Sequence, residues 1–157
     1  QHSGFSDTLE FEKASITDLP FKSNLFTHVW SQATLYHVHN LKKALREIYR
    51  VLQPSGIFVF DDLIQERKHV SNTAQQHVFD RMMFESTFSK DEYVAQLEKL
   101  HFTVLLSVDL SLHLRRNYEL LAQKVKPVSE ERHYSYLKMC EAIDRNEIGW
   151  AFFLCQK

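Results

Sequence analysis

The stretch Leu41-Lys42-Lys43-Ala44-Leu45-Arg46-Glu47-Ile48-Tyr49-Arg50-Val51-Leu52-Gln53-Pro54-Ser55-Gly56-Ile57-Phe58-Val59-Phe60-Asp61-Asp62 changes its hydrophobic period part-way along. Leu41, Leu45, Ile48 and Leu52 recur at helical spacing, with Lys42, Lys43, Arg46 and Glu47 off that stripe, which predicts an amphipathic helix over residues 41–52. Pro54 and Gly56 stop it. The continuous apolar run after them predicts a strand over residues 56–61, covered on both faces as in a parallel sheet. A second such run at residues 26–31 lies upstream, so the unit reads strand–helix–strand and the fold class is α/β.

Outward from that unit the alternation continues. Residues 8–13 alternate, Leu9 and Phe11 against Thr8, Glu10 and Glu12, and predict a strand. Ser89-Lys90-Asp91-Glu92 has the pattern of a capping box and opens a helix carrying Tyr93, Val94, Leu97 and Leu100. Strands are expected at residues 103–110 and 150–155, and helices at residues 115–126 and 130–146, the latter capped by Ser129 after Pro127. Residues 75–84 have helical spacing but mix Arg, His and Met through it, and stay ambiguous.

Composition narrows the function. The 157 residues include only 3 Gly and 3 Pro, against 12 Phe, 6 Tyr and 2 Trp; average usage would put about 11 glycines in such a chain. Collagen, flexible linkers and low-complexity disorder are excluded. Gly4, Gly56 and Gly149 are too far apart to write GxGxxG or GxxxxGK[ST], so no glycine-rich phosphate loop is encoded. Nineteen basic and twenty acidic side chains leave a net charge of −1, with no basic stripe for nucleic acid and no cationic face for a membrane. Apolar runs are too short to span a bilayer. Cys140 and Cys155 are isolated, which fits a reducing compartment, and the expected location is cytoplasmic.

Three segments, in order, carry a family resemblance: Thr17-Asp18-Leu19-Pro20-Phe21-Lys22-Ser23-Asn24 before the first run, Arg50-Val51-Leu52-Gln53-Pro54-Ser55-Gly56 ending the helix, and Ile57-Phe58-Val59-Phe60-Asp61-Asp62. They resemble the second half of the class I S-adenosylmethionine-dependent methyltransferases. Trp30-Ser31-Gln32 with His37, and the ending Ile148-Gly149-Trp150-Ala151-Phe152-Phe153, resemble the sarcosine/dimethylglycine and phosphoethanolamine N-methyltransferases within them. The resemblance implies a Rossmann-like sheet of order 3-2-1-4-5-7-6. This chain would supply strand three at residues 8–13 and strands four to seven, with strands one and two absent. Residues 1–157 are then expected to form a single partial methyltransferase domain without its N-terminal cofactor-loop half. Open sheet edges make such a piece unstable alone, so a dimer or a complementing chain is expected to complete it.

The same resemblance implies S-adenosyl-L-methionine as cofactor and a small-molecule acceptor. Ser15 and Ile16 would lie beside the adenine, and Trp30, Ser31 and Gln32 toward the methionine end of the cofactor. As plain residues, Trp30 reads as a core anchor and Gln32 as a helix cap. Ala33 departs from the Asp that related enzymes often carry there. Tyr36 and His37 could take a proton from an amine, since only the neutral amine attacks a methyl group. Asp61 ends a central strand at the crevice, where a carboxylate orients an ammonium; Asp62 reads as a cap for the segment after the strand. His37-Val38-His39 has a two-ligand spacing without a third ligand, and no metal is expected. His101, where relatives have Gly, marks a helix end. Met82, Met83 and Phe84 read as a substrate lid or as core. The function implied is methyl transfer to an amine; a non-catalytic scaffold subunit and a C-methyltransferase of a quinone-like ring are the alternatives.

Overall fold

The computed structural model describes residues 9–157. Its elements, in chain order, are β1 (Phe26–Gln32), a 3₁₀ turn (Leu35–His37), α1 (Leu41–Val51), β2 (Leu52–Ile64), and α2 (Asn72–Ala74), which runs into a π-helical turn (Gln75–Asp80). Beyond these lie α3 (Lys90–Lys99), β3 (Thr103–Asp109), α4 (Ser111–Val125), α5 (Glu130–Asp144) and β4 (Gly149–Gln156). The sheet order is β1-β2-β4-β3, with β1 and β2 parallel and β4 antiparallel to both of its neighbours. This reproduces the 4-5-7-6 part of the expected order.

The α1–β2 unit forms as its period change requires. Asn40 caps α1 by accepting from the Lys43 amide. Leu41, Ala44, Leu45, Ile48 and Val51 are buried on its inner face. The strand starts at Leu52 rather than at Gly56, because Phe26 still pairs with Leu52 before the register jumps to His28–Ile57. The intervening residues bulge out, with Ser55 in the left-handed region at φ 62°. A side chain at Gly56 would come within 2.8 Å of the Gln53 carbonyl oxygen, which makes glycine necessary at that bulge.

Alternation along β2 and β4 divides the core into two faces. On one, Phe58 and Phe60 of β2 and Phe153 of β4 stack at centroid distances of 4.5 Å beneath α1 and α3, which contribute Leu45, Ile48, Tyr93 and Leu97. On the other, Leu63, Ile148 and Trp150 pack against α2, α4 and α5 through Ala74, Val78, Leu114 and Met139. Helices thus cover both faces, as the α/β reading required.

Several further elements differ from expectation. The described part of residues 8–13 is not a strand: residues 9–14 carry no ladder, and Phe11 is 93% exposed. A strand needs a neighbour, and no strand among the described residues pairs with the outer edge of β1; Thr8 lies outside the described residues. For the same reason β1 is largely exposed rather than covered on both faces. α4 begins at Ser111, four residues early, its first amide bonded to Asp109 Oδ1 at 2.8 Å. Residues 72–80 form a short helix widened into a π turn. His101, at φ 68°, does end α3. Among the described residues no helix is long and apolar enough to cross a membrane.

The capping box at α3 is complete. Glu92 N–H donates to Ser89 Oγ at 3.2 Å and Ser89 N–H to Glu92 Oε2 at 2.8 Å. Ser89→Ala is expected to lower the unfolding free energy by about 1 kcal/mol, read as a lower urea midpoint at unchanged slope. A midpoint equal to wild type would mean that the cap contributes nothing.

Candidate active site

β1 and β2 pair Gln32 with Asp61, so both residues stand side by side at the carboxyl ends of parallel strands, where open α/β sheets bind ligands. Ala33 turns the chain there, at φ 46°, with its amide on the Asp61 carbonyl at 2.9 Å. The reversal folds the Leu35–His37 turn back over the strand ends. Ser31 Oγ and Thr34 Oγ1, 2.8 Å apart, pin its start. The Tyr36 carbonyl accepts from the Glu85 and Ser86 amides.

The result is a cavity of about 280 Å³ with Gln32, Tyr36, Asp61 and Asn117 as its polar lining. Leu63, Met82, Tyr118 and Trp150 form its apolar and aromatic walls. The Trp150 indole N–H donates to Asp61 Oδ1 at 2.9 Å, and Asp61 is only 8% exposed. Burial raises the Tyr36 phenol, with Asp62 and Tyr118 adding to the rise and Arg81 opposing it; the phenol therefore stays protonated at neutral pH. A larger hollow of about 490 Å³ beside Gln65, Arg67 and Lys68 is lined by polar loop side chains. The smaller cavity, with apolar walls and a few converging polar groups, has the make-up of a small-molecule site.

Asp62 points to the opposite face and is fully buried. It is no cap. Tyr93 of α3 donates its hydroxyl to Asp62 Oδ2 at 2.5 Å, while Oδ1 has no hydrogen bond of full geometry. Burial pushes this carboxyl up to about 7. The Tyr93 hydroxyl and the backbone amides of Tyr36 and Leu63 draw it part of the way back, and the charge of Asp61 adds to the rise. The Tyr93 phenol is raised well above its ordinary value by burial and then by Asp62.

Of the residues singled out from sequence, Gln32, Tyr36 and Asp61 meet in the cavity. His37 does not line it: the ring is exposed, lies 3.9 Å from the Tyr36 ring, and places Nδ1 3.1 Å from the Met83 carbonyl. Trp30 is 73% exposed at the outer edge of the sheet and is not a core anchor. Nor does Gln32 cap a helix, since Thr34 and Asn40 hold those positions. Ser31 is buried and spent on Thr34. Ser15 is exposed, its hydroxyl 2.9 Å from Thr17 Oγ1, and Ile16 lines a separate hollow with Phe26 and Val29. Met82 is a cavity wall, Met83 is 68% exposed, and Phe84 packs on Tyr36 at 4.6 Å. Among the described residues no group of three or more His, Cys, Asp or Glu could hold a metal ion.

Sequence reasoning missed Trp150, Tyr118 and Asn117. The alternation of β4 held the signal for the first. Ala151, Phe153 and Cys155 take the buried face, which leaves Trp150 on the cavity side, opposite Leu63. The α4 contributions come from a helix whose first turn the sequence did not mark.

Residues 1–60 match the methyltransferase domain family. The chain is 30% identical over 115 residues to glycine/sarcosine/dimethylglycine N-methyltransferase of Actinopolyspora halophila, covering 73% of this chain and 20% of the relative. It is 28% identical over 152 residues to sarcosine/dimethylglycine N-methyltransferase of Aphanothece halophytica, covering 95% of this chain and 53% of that one. It therefore spans about half the length of the second relative and less of the first. The fold is similar to that of Haemonchus contortus phosphoethanolamine N-methyltransferase 2, solved with phosphomonomethylethanolamine and S-adenosylhomocysteine. That superposition has a TM-score of 0.80 at 14% identity and covers 91% of this chain and 36% of the other.

Proposed function

From a chain whose residues 1–60 match the methyltransferase domain family, we propose that the cavity at the ends of β1 and β2 seats a small amine and that S-adenosylmethionine is the methyl donor. The observation that carries this reading is the buried Asp61 carboxylate, held by the Trp150 indole inside walls of Tyr36, Tyr118 and Trp150. An anion among aromatic faces attracts an ammonium both by charge and by the ring quadrupoles. Asp61 Oδ1 is spent on Trp150, so Oδ2 is the oxygen left for an amine N–H. Because Tyr36 stays protonated, its ring and hydroxyl orient the amine, and Asp61 takes the proton that must leave before the nitrogen lone pair is free. Walls that exclude water then hold the nucleophile in line.

The cofactor, when bound, supplies an electrophilic methyl on a sulfonium. Groups that fit it lie along the outer edge of β1: the exposed Trp30 ring and the exposed Gln32 side chain. Trp30, Ser31 and Gln32 would face its methionine part and Ser15 and Ile16 its adenine, with His37 behind Tyr36. The outer edge of β1, which pairs with no strand among the described residues, also supports reading these 157 residues as the acceptor-side part of a domain. Strands outside this sequence would complete its sheet and carry the cofactor glycine loop, and the 157 residues alone would then be inactive.

The test is labelled methyl transfer from S-adenosylmethionine to sarcosine, dimethylglycine and phosphoethanolamine. A quinol and a no-acceptor control run beside them, and the protein is assayed in the longest form its reading frame encodes. Transfer to at least one amine is expected. Transfer to the quinol alone would move the reading to carbon methylation, and no transfer together with no calorimetric binding of S-adenosylhomocysteine would end it in favour of a scaffold.

A further inference from the structure

The Asp62–Tyr93 pair is the most deeply buried polar arrangement near the cavity, and the proposed methyl transfer does not use it. Asp62 comes directly after Asp61 in β2, so it leaves the sheet on the opposite face. There it lies between α3, which supplies the Tyr93 hydroxyl, and the 3₁₀ turn, whose Tyr36 amide acts on the carboxyl from outside full hydrogen-bond geometry. One carboxyl therefore lies between two elements, α3 and the turn. One of them carries the cavity's central phenol. The opposite oxygen, Oδ1, is buried and lacks a full partner. A buried acceptor left in that condition has a large free-energy incentive to capture a nearby amide.

We propose that Asp62 is a positioning residue of the site: its ionised carboxylate, anchored by Tyr93, draws in the Tyr36 amide and so sets Tyr36 over the cavity, and its protonation releases the turn. The proposal takes from the methyl-transfer reading only the premise that Tyr36 belongs to the site. The groups that face Asp62 are few. They are the Tyr93 phenol from α3, the amide and the nearby phenol of Tyr36 from the turn, and the like charge of Asp61 on its own strand. β4 presents Ala151 opposite it and no titratable group. No cation acts on the carboxyl among the described residues. Ionisation is therefore opposed by burial and by Asp61, and supported only by hydrogen-bond donors.

These groups fix the sign of the pH dependence. The folded carboxyl titrates near 7 against an ordinary value of 3.8. Between the two the folded state holds a proton that the unfolded state lacks. Stability is therefore lost as pH rises through that window and stays low above it. A buried acid that weakens the fold at neutral pH is the kind of group retained for a site rather than for stability. Asp62→Asn keeps an acceptor for the Tyr93 hydroxyl and removes the charge, so it raises the urea midpoint above about pH 7 and leaves it unchanged below about pH 4.

Amide hydrogen exchange at Tyr36 tests the positioning role and needs neither cofactor nor acceptor. In the wild type, after correction for intrinsic exchange, protection of this amide is expected to rise about tenfold between about pH 6 and pH 8. In Asp62→Asn it stays flat. Tyr93→Phe removes a donor that favours the carboxylate, so the midpoint of the wild-type rise moves to higher pH while its amplitude remains. With an acceptor present, Asp62→Asn lowers kcat about tenfold and leaves the KM for S-adenosylmethionine unchanged. A rise that persists in Asp62→Asn, or its absence from the wild type, overturns the proposal. A flat methyl-transfer assay with the exchange result intact would instead count against the proposed reaction alone.

Discussion

Asp61→Asn is expected to lower kcat/KM for methylation of an amine about 100-fold, the low end of what a positioned base contributes. The substitution keeps side-chain volume, and its Oδ1 still accepts from the Trp150 indole, so the 2.9 Å bond that fixes the side chain survives. What disappears is the charge that draws in the ammonium and the oxygen that receives its proton. The loss should therefore fall on kcat and on the acceptor KM together, with cofactor affinity unmoved. It should also shrink at high pH, where solvent already supplies the neutral amine. Trp150→Phe, which leaves an aromatic wall but deletes the donor, should cost less, about tenfold, because Asp61 keeps its charge and loses only its alignment. Steady-state rates across the pH range for wild type and both variants decide the point, with circular dichroism to confirm that each is folded. A rate for Asp61→Asn equal to wild type at every pH would remove Asp61 from the chemistry.

How much of this could be read in advance depends on how local the cause is. α1 and the presence of β2 were legible because a change of period, a proline and a glycine fall within a dozen residues; the start of β2 at Leu52 was not, because it is set by pairing with Phe26 of β1. The α3 cap was legible because both of its hydrogen bonds are closed by residues three apart. Gln32 and Asp61 were found through strand-end position, which motif order supplies, and Tyr36 through its place one turn beyond Gln32. Trp150 escaped because its partner Asp61 is 89 residues away, and the antiparallel register of β4 alone brings them together. Asp62 was read as a cap because its true partner, Tyr93, belongs to a helix 31 residues on. The strand expected at residues 8–13 failed for a complementary reason. Alternation records a strand's faces, but a ladder also needs a neighbour, and no described strand pairs with the outer edge of β1.

Phe60→Ala is expected to be the most damaging single change to the fold, at about 3–5 kcal/mol. Phe60 is fully buried, stacked on Phe58 and on Phe153 at 4.5 Å each and tilted against Tyr93 at 5.4 Å. Two mechanisms add. The ring's transfer free energy is lost, and the cavity left behind cannot collapse, because β2 and β4 are fixed by the ladder on either side of it. Each aromatic pair contributes about a further 0.5–1.5 kcal/mol beyond buried area, so Phe60→Leu should recover much but not all of the loss. Phe11→Ala, at a residue 93% exposed, is the control and should stay within about 0.5 kcal/mol of wild type. Because Phe60 and Phe153 share one stack, the double alanine variant should cost less than the sum of the singles. Urea unfolding at unchanged slope measures all of these and the single Phe153→Ala. A Phe60→Ala loss no larger than that of Phe11→Ala would mean that the stack across β2 and β4 does not hold the sheet together, and that the cavity at its end is positioned by something else.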